Sequence, residues 1–172
     1  MSGDDVLPPW HARPVDITPT RLRQIVPHDP PHSYGDCFRT AIACLLGVDD
    51  PADVPHFVAA NINDDDLRGW SDLRDARLWL RETYDLDLFP MERGEADAIG
   101  LHYKATVQSP SGVPHSVVGR RGVVVWCPAG NDIIGSSITS TDSAWVIARP
   151  WSPDPAEMVA EWTARVVKDG AS

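Results

Sequence analysis

The chain has 172 residues, 42% of them hydrophobic and 23% charged, enough apolar material for one compact core and too little length for two. Its 25 acidic and 15 basic residues leave a net charge of −10. With Arg120-Arg121 the only basic pair of note, such a surface repels phosphate backbones and excludes nucleic acid as the main partner.

The start, Met1-Ser-Gly-Asp-Asp, lacks the basic-then-apolar order of a secretory signal. The longest apolar run, Ala41 to Leu46, is far short of a membrane span. Three cysteines make no disulfide framework, so a reducing cytoplasm is the expected compartment. Residues 1–35 carry Pro8-Pro9, Pro14, Pro19, Pro27 and Pro30-Pro31. Proline removes backbone donors and fixes φ, which predicts an extended arm wrapped on the domain, with one short helix over Thr18–Ile25. Asp36 then supplies an N-cap. Phe38, Ala41, Ile42, Leu45 and Leu46 follow at three- and four-residue spacing, predicting a helix that Gly47 ends.

Asp50-Pro51 predicts a short helix closing before Pro55. Asn61 to Gly69 reads as a polar loop, and its Asp64-Asp65-Asp66 run lacks the Gly-and-Glu spacing of a calcium site. Ser71 caps a helix through about Tyr84 with Leu73, Ala76, Trp79 and Leu80 as its apolar stripe. The period then changes. Leu86 to Phe89, Leu101 to Val107 and Ala144 to Ala148 read as strands, and Val113 to Gly119 with Gly122 to Trp126 as a hairpin turning at Arg120-Arg121. Residues 155–168, with Met158, Val159, Trp162 and Val166, predict a closing helix. Helices first and antiparallel strands second make a single α+β domain over residues 1–172, its N-terminal Cys-bearing helix packed on a C-terminal sheet.

Cys37 sits in the first turn of the apolar helix. The free amides and helix dipole there favour a thiolate, the reactive form, and the same amides can receive an oxyanion. The alternative is a small apolar residue tucked into the core. Cys44, between Ala43 and Leu45, reads as core packing. A thiol nucleophile needs a base. Of six histidines, His115 opens the strand Pro114-His115-Ser-Val-Val-Gly, a rigid position from which an imidazole can be aimed. His102 lies in an earlier strand without that setting, His28 and His32 read as exposed arm residues able to line a cleft, and His56 after Pro55 reads as structural. A zinc site from Cys37, Cys127 and His115 is a rival, but the chain has no C-x-x-C or H-x-x-x-H pair. Among seven tryptophans, Trp79 and Trp162 fall on helical stripes and read as core. Trp10, Trp70 and Trp151 read as loop packing able to wall a cleft.

The segment Gly35-Asp36-Cys37-Phe-Arg-Thr-Ala-Ile-Ala-Cys-Leu-Leu-Gly, then Val54-Pro55-His56-Phe57 and Gly112-Val-Pro-His115-Ser-Val-Val-Gly-Arg, resembles papain-like cysteine hydrolases, nearest to small proteins of actinobacteria and their phages. The resemblance spans roughly residues 20 to 130. It implies a papain-like fold, Cys37 as nucleophile, His115 as general base, and Gln24, thirteen residues before the cysteine, as a side-chain oxyanion donor that His32 or Tyr34 can replace. The strand after the histidine reads Val125-Trp126-Cys127-Pro128, with cysteine where similar proteins carry an aspartate. A thiol is a weak acceptor, which leaves Asn131 or Asp132 to orient the imidazole; asparagine does so in papain-like proteases. The activity so implied is cleavage of an amide, isopeptide or thioester bond in a peptide, protein or small amide, with no metal or organic cofactor. The alternative is a binding module that holds a peptide, small ligand or partner protein in a degraded version of the same cleft.

Overall fold

Apolar residues at helical spacing build α1 (Cys37–Leu46) in a computed structural model that describes residues 12–15, 17–29, 33–60, 68–109, 112–139 and 144–150. The stretch Thr40 to Leu45 is buried, and Gly47, at φ 71°, ends the helix in the left-handed region where glycine meets no steric penalty. The Asp50 carboxylate accepts the Ala52 N–H at 2.8 Å and opens a 3-10 turn over Pro51–Asp53. Two further helices follow, α2 (Phe57–Ala60) and α3 (Arg68–Tyr84). The start of α3 lies ahead of the expected cap, so Ser71 is inside the helix: one glycine, Gly69, costs a helix only about 1 kcal/mol and does not stop it. Ala76 and Leu80 are fully buried, and Leu73 and Trp79 pack against the same core. The next helix, α4 (Arg93–Ile99), has no sequence signature, because Ala96 is its one buried residue and leaves no apolar stripe to read.

Among the described residues six strands form one antiparallel sheet: β1 (Ala12–Pro14), β2 (Asp87–Met91), β3 (Tyr103–Gln108), β4 (Pro114–Arg120), β5 (Val123–Trp126) and β6 (Ala144–Pro150). One edge of β6 pairs with β2; the other is shared by β1, at Ala148 to Pro150, and β3, at Trp145. β3, β4 and β5 continue the sheet. Arg121 and Gly122, at φ 50° and 75°, make the hairpin turn between β4 and β5, the double positive φ that matches strand twist. Alternation along the strands divides the core. Leu88, Val118 and Ile147 pack with Ile42 and Leu80 under α1 to α3, while Tyr103, Val117 and Val146 pack with Ala96 of α4 on the other face. The protein is therefore α+β, with the Cys-bearing helix lying on β4.

The helix expected over Thr18–Ile25 does not form; the segment is irregular. Its polar groups bond to distant parts of the chain: Thr20 N–H donates to the Cys44 carbonyl at 3.1 Å, Gln24 N–H to the Pro128 carbonyl at 3.2 Å, and the Leu22 carbonyl accepts the Trp126 indole at 2.7 Å. A helix would withdraw these groups into its own ladder. The loop expected over Asn61 to Gly69 falls at 61–67 outside the described residues, as does the closing helix over 155–168.

Gly119 marks a close approach of β4 to its neighbours. A Cβ there would lie 2.4 Å from the Tyr103 ring and 2.5 Å from Ile138, at the register shift between β4 and β5. Tyr103 is fully buried and donates its hydroxyl to Asp97 at 2.8 Å, so the ring has no free direction of retreat. Gly119→Ala is expected to cost about 1–3 kcal/mol by overpacking, read as a lower urea midpoint. An unchanged midpoint would mean that the ring yields.

Candidate active site

The head of α1 is built differently from a capped helix. Asp36 stands at the cap position, yet its carboxylate caps nothing. It is fully buried and turns to the arm, accepting the N–H groups of Ile25 at 3.3 Å and Val26 at 3.1 Å and pairing with Arg39 at 2.8 Å. The arm is thereby laid beside the first turn, and Gln24 enters the same cleft as Cys37.

Cys37 Sγ meets the sheet at β4. Pairing of β5 with β4 begins at Val118, so the N–H of Ser116 is available to the thiol and donates to Sγ at 3.5 Å. Burial pushes the thiol pKa up, Cys127 and Asp36 add to that, and the Ser116 N–H and the Lys104 charge oppose it. The helix head is thus not a preformed thiolate: desolvation outweighs the donors that the sequence position suggested. Cys44 is wholly buried, as expected, with the Leu22 N–H on its sulfur at 3.4 Å.

His115 pairs with Val107 and Ser116 with Thr106 across β3 and β4, so the imidazole leaves the strand on the face opposite Ser116. It sits at the rim, lining both the Cys37 cleft and a smaller hollow that contains Cys127 and Asp132. Burial and the nearby His28 lower its pKa. Among the described residues no hydrogen bond joins His115 to Cys37 Sγ or to Asp132. Of the two candidate orienters, Asp132 lines the hollow behind the imidazole. Asn131 is instead engaged by Arg23, whose guanidinium donates to its side-chain oxygen and to the Cys127 carbonyl.

The cleft encloses about 560 Å³, a volume suited to a small molecule or a single peptide group with its side chain. His28 lines it as well, receiving the Gly35 N–H on Nδ1 at 3.4 Å and meeting the Tyr34 ring edge-on. His56 Nε2 lies 3.2 Å from the Tyr34 carbonyl, a structural contact as expected. His32 lies outside the described residues, as do Trp10, Trp151, Trp162 and the side chain of Trp70. Sequence reasoning missed Lys104, Thr106 and Trp145, which also line the cleft. In Tyr103-Lys104-Ala105-Thr106-Val107 the polar residues alternate as on a solvent face, and only the packing of α1 turns that face inward. Among the described residues no group of three or more His, Cys, Asp and Glu could hold a metal ion, and no helix is long and apolar enough to cross a membrane. No family model, curated protein or solved structure matches the chain.

Proposed function

We propose that the chain is a papain-like cysteine hydrolase, cleaving an amide, isopeptide or thioester bond through an acyl-enzyme on Cys37. The observation that carries this reading is the Cys37 thiol at the head of α1, held by the Ser116 N–H in a cleft that Gln24 and His115 also line. The resting pair is a neutral thiol and a neutral imidazole, because burial raises one pKa and lowers the other. His115 therefore acts as a true general base. Its side chain turns from the strand's far face toward Sγ and takes the proton as sulfur attacks the carbonyl carbon. The Cys37 backbone N–H and the Gln24 amide receive the oxyanion. His115 returns the proton to the leaving nitrogen or sulfur, and water, deprotonated by the same imidazole, releases the acid. In this reading Asp132, which lines the same small hollow as His115, is the orienting residue.

The test is p-nitrophenyl acetate, an activated acyl donor that needs no recognition. One acetyl group on Cys37 by mass spectrometry, with a burst of p-nitrophenolate, supports the reading; Cys37 left unmodified while product appears overturns it. One observation favours the second reading, a binding module: neither Cys37 nor Asp132 hydrogen-bonds His115. That reading requires an unacylated Cys37.

The pH dependence follows from the directions of the two shifts. Hydrolysis needs neutral His115, whose lowered pKa extends activity below the ordinary imidazole value of about 6.5. Iodoacetamide reacts with thiolate, so labelling of Cys37 is expected to rise only above the ordinary thiol value of about 8.5. A labelling plateau near pH 6, the mark of a thiolate–imidazolium pair, would contradict this order.

A further inference from the structure

The arm runs between the head of α1 and the loop that leaves β5. Ile25 and Val26 bond the Asp36 carboxylate, while the Gln24 N–H reaches the Pro128 carbonyl. Arg23 carries the side-chain part of that second contact. Its guanidinium donates to the Cys127 carbonyl at 3.0 Å and to the Asn131 side-chain oxygen, and lies 4.3 Å from the centre of the Trp126 ring. One planar fork thus closes both ends of the loop from Cys127 to Asn131, a geometry that a point-charge ammonium does not offer. The next residue is Asp132, which shares with His115 a hollow of about 80 Å³, room for only a few water molecules. Arg23 lines neither that hollow nor the Cys37 cleft, so whatever it does for the site passes through the loop. Stability does not account for it. Its bond to Asn131 is exposed, where water serves the amide about as well, and ordering a long side chain costs entropy.

We propose that Arg23 is a positioning residue for acyl transfer, stapling the Cys127–Asn131 loop so that Asp132 stays beside the His115 imidazole. The role in acyl transfer rests on the hydrolase reading; the placing of Asp132 does not. Asp132 is the one carboxylate among the described residues of the hollow. The other titratable groups that share a cavity with His115 are His28, Cys37, Asp72, Lys104 and Cys127. Of these only Cys127 belongs to the loop that Arg23 holds, and it offers its carbonyl, not its thiol. Gln24 is held by its own backbone N–H, so losing the Arg23 side chain frees the base's partner and leaves the oxyanion donor in place. The two ways in which Arg23 can act on the imidazole have opposite signs. A nearby cation lowers an imidazole pKa, whereas a carboxylate held nearby raises it. Removing Arg23 therefore raises the His115 pKa if charge alone acts, and lowers it if Asp132 is released.

The test is an NMR titration of the His115 ring protons, which needs no substrate. Arg23→Met keeps an apolar contact with Trp126 and loses the fork; Arg23→Lys keeps the charge and loses the fork. Both are expected to lower the His115 midpoint, as Asp132→Asn does. The double variant Arg23→Met/Asp132→Asn should fall no further than Asp132→Asn alone. Asn131→Ala, which opens the loop from its other end, should match Arg23→Met. Melting temperatures are expected to stay within about 4 °C, since the bonds lost lie at the surface. Acylation by p-nitrophenyl acetate should slow by about tenfold to 10²-fold in Arg23→Met, the scale of a misplaced reacting group, with alkylation of Cys37 at alkaline pH unchanged. A His115 midpoint that rises or stays in Arg23→Met, or stays in Arg23→Lys, overturns the proposal. An additive double variant or an unslowed acylation does the same. A lowered midpoint in a protein that p-nitrophenyl acetate never acylates on Cys37 would instead sink the hydrolase reading and leave the staple standing.

Discussion

Cys37→Ala is expected to abolish the p-nitrophenolate burst and the acetylated species together, while changing stability by under about 1 kcal/mol. The thiol is the only atom lost, and it lies at the cleft wall rather than inside the core. Cys44→Ala is expected to do the reverse. Its sulfur is fully buried and accepts the Leu22 N–H at 3.4 Å, so removing it leaves a small cavity and an unmet donor, at a cost of about 1–3 kcal/mol with the burst intact. His115→Ala separates the base from the nucleophile: about 10²–10⁴-fold slower turnover is the usual loss for a general base, with Cys37 still alkylated at alkaline pH. A Cys37→Ala protein that keeps its burst would remove the nucleophile from the mechanism altogether.

The second large effect is expected at Asp36, which sequence reading treats as a helix cap. Its carboxylate binds Arg39, whose side chain is 13% exposed, and two amides of the arm. Asp36→Ala strands a largely buried guanidinium and two N–H groups, and breaking a buried pair from one side costs about 3–5 kcal/mol. Because Ile25 and Val26 are the residues released, Gln24 loses its place in the cleft, and acylation should slow even where the fold survives. Thermal unfolding reads the first effect. Tryptic cleavage after Arg21 and Arg23 reads the second, since both side chains now lie over the Trp126 ring, at 5.7 and 4.3 Å. The double variant Asp36→Ala/Arg39→Met should recover stability but not arm protection. An unchanged melting temperature and tryptic pattern in Asp36→Ala would mean that the arm is held elsewhere.

Features written within a few residues of themselves were legible. The 3.6-residue apolar spacing of α1 and its Gly47 stop, the Asp50-Pro51 turn and the stripe of α3 follow from local sterics and hydrogen bonding. So does the β4–β5 hairpin, although its turn falls at Arg121-Gly122, one residue later than the expected Arg120-Arg121. The placement of Cys37 at a helix head and His115 near the start of a strand belongs with them. The α4 helix was illegible because one buried alanine makes no pattern, and the helix expected over Thr18–Ile25 failed because its backbone groups have better partners far along the chain.

By itself the sequence determined an α+β chain with a cysteine opening its strongest helix, since helix, turn and strand preferences act over three to five residues. Only the tertiary structure decided what surrounds that cysteine. Asp36 turned from cap to clamp because the arm returns to it. Asn131 was claimed by Arg23, a residue 108 positions away, leaving Asp132 beside the hollow behind His115. Lys104 moved from an apparent solvent face into the cleft because α1 covers that side of β3. The Cys37 thiol became harder, not easier, to ionise, because desolvation depends on everything packed around a group, and no span of neighbouring residues records it.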